Sequence, residues 1–165
     1  MGEFFELSFF SKEHSMLRDL KHHFICEPRL SSIVNRVCMQ NISVFGDHST
    51  IFEWYKESMY VYYMLSIEDL QFTPKNYQNV LSDILNLVNE CFYLVPEIEF
   101  ATGIYELTYH YIAHTHTLRD VRDKLFPHCP FVFLRASELE LFPNANKYKE
   151  IIYLTQSGRD VQQII

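Results

Sequence analysis

Apolar positions along this chain switch between two spacings, and the switches mark out its elements. The opening run Phe4-Phe5-Glu6-Leu7-Ser8-Phe9-Phe10 is aromatic-rich and reads as a strand. Met16, Leu17, Leu20 and Phe24 then recur on one side of a helix, with Ser11 or Ser15 in position to cap it. Beyond Pro28, residues 30–45 read as two short strands and residues 46–49, Gly-Asp-His-Ser, as a turn. Residues 51–56 fit helix and strand equally, and MYVYYMLSI at 59–67 reads as a buried strand.

The longest periodic stretch follows. Thr73 stands as N-cap and Pro74 as the first helical residue, where a missing N–H costs nothing. Tyr77, Val80, Leu81, Ile84, Leu85, Val88, Cys91 and Phe92 form the apolar side, with Asn76, Asn79, Asp83, Asn86 and Glu90 outside, and Pro96 closes the helix. Residues 97–100 read as a strand, Ala101-Thr102-Gly103 as a turn and residues 104–112 as the next strand. Thr117 caps a helix running to Phe126, residues 130–136 and 149–155 read as strands, and residues 159–165 as a short closing helix. These elements predict one α+β domain over residues 1–165: a mainly antiparallel sheet of about six strands with helices packed on one face. A parallel α/β sheet is the alternative, but the glycine-poor turns and the strand pairs around 38–46, 97–112 and 131–154 favour the antiparallel one. An internal β-α repeat is a further expectation, because Glu6-Leu7 and Leu17-Arg18-Asp19 echo Glu106-Leu107 and Leu118-Arg119-Asp120.

Composition narrows the class. Hydrophobic residues make up 48% of the 165 residues and aromatics 16%, which is a globular and not a disordered composition. Four glycines leave little material for phosphate-cradling loops, and no P-loop, G-x-G-x-x-G or G-x-S-x-G is present. No apolar run is long enough to cross a bilayer, the N-terminus is acidic, and Glu6 stands where a myristoylation motif needs Ser or Thr. The expectation is a cytoplasmic protein with no membrane association. Cys26, Cys38, Cys91 and Cys129 are scattered singly, so a disulfide framework is not expected.

The formal charge of −7 is unevenly spread. Residues 51–100 carry eight acids (Glu53, Glu57, Glu68, Asp69, Asp83, Glu90, Glu97 and Glu99) against Lys56 and Lys75, a net −6. Residues 1–50 amount to −1 and residues 101–165 to zero. Such a chain offers nothing to neutralise phosphates, which argues against direct nucleic-acid binding and for a basic partner.

Three histidines, His110, His114 and His116, fall within seven positions where a strand gives way to a helix, with Glu106 and Asp120 as carboxylates nearby. Zinc sites built on helices space their histidines as H-x-x-x-H with a placed glutamate, and neither His114-Thr115-His116 nor His116-Thr117-Leu118 fits the H-x-[ST] pair of phosphoesterases. These histidines read as bystanders, and no metal or cofactor is expected. His22-His23 end a helix, where a cation complements the dipole. His128-Cys129 lie between Pro127 and Pro130 and lack a third orienting group. The positive feature is tyrosine and acid together. Glu53, Trp54, Tyr55 and Glu57 lead through Tyr60, Tyr62 and Tyr63 to Glu68 and Asp69, and aromatics that anchor an interface beside carboxylates that steer a partner suit protein binding. The sequence therefore predicts a non-enzymatic inhibitor or immunity protein that covers the active site of a basic toxin, such as a nuclease. Its partner surface would be Glu53, Trp54, Tyr55, Glu57, Glu68 and Asp69. A small hydrolase using the 110–116 histidines and a structural or adaptor subunit are the competing classes.

Overall fold

The strand that opens the chain alternates Phe5, Leu7 and Phe9 with Glu6, Ser8 and Phe10, so it has an apolar side chain to offer to both faces of a sheet. A computed structural model of the protein describes residues 4–28, 42–45, 60–68, 75, 77–104 and 114–155. Strand β1 (Phe4–Ser11) leads to helix α1 (Ser15–Cys26), then strands β2 (Ile42–Phe45) and β3 (Val61–Glu68) and helix α2 (Tyr77–Leu94). Strand β4 (Phe100–Ile104) precedes a short helical segment, α3 (Leu118–Asp120), which continues as a π-turn over Val121–Leu125 and a 3-10 turn over Phe126–His128. Strands β5 (Phe131–Arg135), β6 (Asn146–Tyr148) and β7 (Ile151–Thr155) complete one seven-stranded sheet in the order β2-β3-β1-β4-β5-β7-β6. Every neighbouring pair is antiparallel. The α+β class expected from the sequence is what is found, with seven strands among the described residues.

The order explains how helices between strands coexist with antiparallel pairing. β1 and β2 run parallel to each other with β3 between them, and β3 and β4 run parallel with β1 between them. Helices α1 and α2 thus each belong to a crossover that skips one antiparallel strand, the split βαβ arrangement. The two crossovers start from opposed strands and move in opposite directions across the sheet. Two reversals cancel, so a common handedness places both helices on the same face.

That face is the larger core layer. Phe5, Leu7, Phe9, Val61, Tyr63, Leu65, Ala101, Phe131, Phe133 and Ile151 from the strands meet Met16, Leu17 and Leu20 of α1 and Leu81, Ile84, Leu85, Val88, Cys91 and Phe92 of α2. The ring of Phe24 stacks on Tyr63 at 5.6 Å and closes the α1 end. The opposite face is covered as well. Phe10, Tyr60, Tyr62, Met64, Phe100, Val132, Leu134 and Ile152 pack against Val121, Leu125, Cys129 and Phe142. The helices of the two sequence echoes therefore lie on opposite sides of the sheet: Leu17 of α1 is in the first layer, and Leu118 packs against the second. Phe10 stacks on Phe100 at 4.5 Å between the paired strands β1 and β4, a contact that sets register as well as burying area. Ser8 and Thr102 face each other directly across the same pair, both fully buried, and their hydroxyls have no hydrogen-bond partner among the described residues.

The Ala101-Thr102-Gly103 turn expected from the sequence is the middle of β4. Glycine here serves proximity. Phe5 on β1 and Phe131 on β5 meet edge to face at 6.2 Å across the intervening β4, over the place where Gly103 has no side chain. A Cβ at Gly103 would stand 2.7 Å from Phe5 Cζ and 3.3 Å from Phe131 Cβ. Capping of α1 also departs from expectation. Its N-cap is His14 with no side-chain hydrogen bond, while Ser11 Oγ accepts the N–H of Glu13 at 2.9 Å. Thr73 and Pro74, expected to start α2, and residues 105–113 and 156–165 lie outside the described residues.

The C-terminus of α2 is closed by a side chain from β5. Arg135 donates from Nε to the carbonyl of Ile98 (3.0 Å), from Nη1 to Phe92 (3.1 Å), and from Nη2 to Val95 (3.1 Å) and Pro96 (3.0 Å). Its guanidinium also lies over the Phe92 ring, 5.1 Å from the centroid. Burial lowers the pKa of this group, and the Glu97 carboxylate partly offsets the shift. Past its midpoint α2 also holds the β6–β7 hairpin: Tyr148 Oη and Lys149 Nζ (3.0 Å) donate to Asn86 Oδ1, and the N–H of Glu150 donates to Asn89 Oδ1 at 3.2 Å. Asn86, which reads from the sequence as solvated, is a hairpin clamp.

Two outcomes follow from these contacts. Arg135→Ala leaves carbonyls without donors at the end of a core helix, and the expected loss of unfolding free energy in urea titration is roughly 2–4 kcal/mol. Arg135→Lys keeps the charge but not the planar fork, and should recover less than half of that loss. Gly103→Ala should cost about 1–3 kcal/mol by overpacking, and the same measurement finding it neutral would show that the Phe5 ring can give way freely.

Candidate functional site

The histidine loop can be built up from its backbone needs. A helix that starts at Leu118 leaves its first N–H groups without partners, and the residues just before it must supply acceptors. Thr117 Oγ1 accepts the N–H of Asp120 at 3.2 Å, and Asp120 Oδ2 accepts the N–H groups of Thr117 (3.2 Å) and His116 (2.9 Å). This is a reciprocal capping box. Lys124 Nζ adds a charge contact to Asp120 Oδ1 at 3.4 Å. The His116 N–H is the largest cause that holds the Asp120 carboxyl below its usual range, with Lys124 and the Thr117 N–H adding to it and desolvation opposing. Asp120, one of the two carboxylates a metal reading of this loop could use, is therefore committed to backbone, and Glu106, the other, lies outside the described residues. Thr115 is buried, His116 half-buried and His114 exposed, while His110 lies outside the described residues. Among the described residues no three His, Cys, Asp or Glu side chains converge on a point where a metal ion could sit.

The other sequence candidates separate cleanly. His128 is exposed, but Cys129 is buried in the second core layer, and burial pushes its thiol up to about 12. A thiol held protonated in this way is no nucleophile. Cys91 is buried under α2 and its thiol is raised well above the ordinary value, by burial first and by Glu90 second. Cys26 is exposed, and Cys38 lies outside the described residues. His22 and His23 do end α1, as expected, and each has an i+4 partner: Nδ1 of His22 is 3.8 Å from Cys26 Sγ, and Nδ1 of His23 is 4.0 Å from Glu27 Oε1. The His22–Cys26 pair was not singled out from the sequence, although its i, i+4 spacing on a periodic helix was the available signal.

Of the expected partner surface, Glu53, Trp54, Tyr55, Glu57 and Asp69 lie outside the described residues, and Glu68 is the last residue of β3, opposite Phe4. Tyr60 stands at the other end of that strand, so the stretch before Tyr60 and the stretch after Glu68 join the sheet at opposite ends, about 26 Å apart at the usual rise per residue. The Tyr60 end is where charge gathers. Lys12 Nζ lies 5.3 Å from the centre of the Tyr60 ring. Burial raises the Tyr60 phenol above its ordinary pKa, and the nearby carboxylates of Glu99 and Asp120 raise it further. Neither Glu97 nor Glu99 forms an ion pair with any described residue.

No protein-family model, no curated protein sequence and no solved structure matches this chain. The α+β fold is accordingly established by its strand order and helix placement alone.

The cap sets a pH dependence. Because the Asp120 pKa is lowered in the folded state, its contribution is complete above the unfolded carboxylate's pKa and is lost as pH falls through the lower folded value. Wild-type protein should therefore lose stability more steeply below about pH 4 than an Asp120→Asn variant, whose acid limb is flatter. Parallel acid titrations followed by circular dichroism would contradict this if the two limbs coincide.

Proposed function

We propose that this chain is a binding protein for a cationic protein surface, acting as an inhibitor or immunity protein that covers the active site of a basic toxin such as a nuclease. The observation that supports the reading is the charge distribution: a net −6 within residues 51–100, with Trp54 and Tyr55 among the acids, whereas Tyr60, Tyr62 and Tyr63 are buried in the two core layers and belong to the scaffold. A carboxylate such as Glu99, which forms no ion pair among the described residues, can steer an incoming basic partner. The engagement of the Asp120 carboxylate in a cap weighs against the competing hydrolase reading, since a catalytic carboxylate needs to be free to exchange protons or hold a metal. The cysteines described are all free thiols, which suits a reducing cytoplasm as the place of action, and no helix among the described residues is long and apolar enough to cross a membrane.

A pull-down from the native cell, or binding to the product of the neighbouring gene, would supply the partner. With the partner in hand, Glu53→Lys/Glu57→Lys should weaken binding by roughly 1–3 kcal/mol, mostly through slower association, and added salt should shrink the difference. Trp54→Ala should instead act mainly by speeding dissociation. Because β3 separates the two groups of acids, Glu68→Lys/Asp69→Lys tests the far end independently. Unchanged binding at low salt in a folded Glu53→Lys/Glu57→Lys variant would reduce the acids to a solvated face and remove the main support for this function.

A further inference from the structure

The last turn of α1 presents an outward face that the core does not use. His22, Ile25 and Cys26 share it at i, i+3 and i+4, and all three are exposed. Ile25 is 73% exposed, and only Tyr93 matches it as an exposed large apolar side chain among the described residues. Between its two neighbours, His22 Nδ1 and Cys26 Sγ stand 3.8 Å apart. A zinc ion bound by both at its usual bond lengths, about 2.0 Å to nitrogen and 2.3 Å to sulfur, would hold those atoms about 3.5 Å apart at a tetrahedral angle. The pair is already within a few tenths of an ångström of the bite a zinc ion requires.

The described residues of one chain offer only half of a closed coordination sphere, since structural zinc takes four protein ligands. His23 and Glu27 point to each other instead, and no third ligand converges among the described residues. We propose that His22 and Cys26 form half of a Cys2His2 zinc site that a second copy of this chain completes, joining two chains about a twofold axis at the C-terminal end of α1. A twofold axis repeats the same patch on both partners, so the missing nitrogen and sulfur arrive together, and the two Ile25 side chains come to flank the metal. Two thiols release two protons to solvent as the sphere closes, and their thiolates balance the charge of the ion. The partial negative charge at a helix C-terminus favours a cation at this place, which helps to offset the nearby Arg18 and Lys21. Ile25 gives the contact a dry centre that exposed ligands alone would lack. The inference does not depend on the proposed toxin-binding role.

The test is sedimentation velocity of the reduced full-length protein with zinc and then with a chelator, alongside cobalt(II) absorption. The expected result is a dimer holding one zinc per two chains that reverts to monomer with chelator, and a thiolate-to-cobalt charge-transfer band in the near ultraviolet. Cys26→Ser should abolish both, and His22→Ala should weaken metal affinity by at least tenfold, the scale on which ligand-shell losses act. Both positions are on the surface, so unchanged circular dichroism will show that the variants fold. A chain that stays monomeric with zinc, binds cobalt without dimerising, or dimerises equally well as Cys26→Ser would overturn the proposal.

Discussion

One guanidinium holds the two halves of this fold in register. Where α2 ends, the chain must reverse into β4, and carbonyls of the last helical turn and of the connection after it need donors from elsewhere. Arg135 reaches back from β5 and satisfies four carbonyls at once, those of Phe92, Val95, Pro96 and Ile98. The helix end, the turn and the sheet are thereby fixed by a single planar fork. β5 in turn is where the split βαβ unit passes into its extension, β5-β7-β6. The same residue thus ties the crossover helix to the strand on which the added hairpin is built.

The Asn86 and Asn89 contacts close that arrangement from the other side. The β6–β7 hairpin pairs with β5 through β7 and also rests its turn on the outer face of α2. Lys149 adopts a positive φ of 50° at this turn, a conformation that a tight two-residue connection between Tyr148 and Ile151 demands. Its ammonium answers for the unusual backbone by binding Asn86 and lying over the Tyr148 ring. Helix, hairpin and sheet edge are one cooperative unit.

Elements with regular periodicity could be read from the sequence because the core they face is the cause of that periodicity. β1, α1, β3, α2, β5 and β7 all fall where the spacing of Phe, Tyr, Leu and Val places them. Misreadings arose where one residue serves a distant neighbour. Gly103 looks like a turn because a glycine's local meaning is flexibility, yet its role is set by Phe5 and Phe131 on two other strands. Arg135 binds groups 37 to 43 residues away, a separation that no local pattern reveals. β6, three residues long with Tyr148 its single aromatic, is too short for any apolar alternation to give it away. At the site, Thr117 reads as a cap, but Asp120 reads equally as a ligand, because sequence does not distinguish a carboxylate that accepts two backbone N–H groups from one aimed at a metal.

The hairpin's outer strand has a bearing on how this chain behaves in a crowded cell. An open sheet presents unpaired backbone along its margins, and such margins recruit strands from other molecules. Here the β6 margin is only Asn146, Lys147 and Tyr148, with a lysine at its centre and the turn pinned against a helix. A passing strand would find too few hydrogen bonds to hold and a charge to bury. A sheet rich in aromatic residues, which would otherwise be a ready template for aggregation, is blunted along this edge.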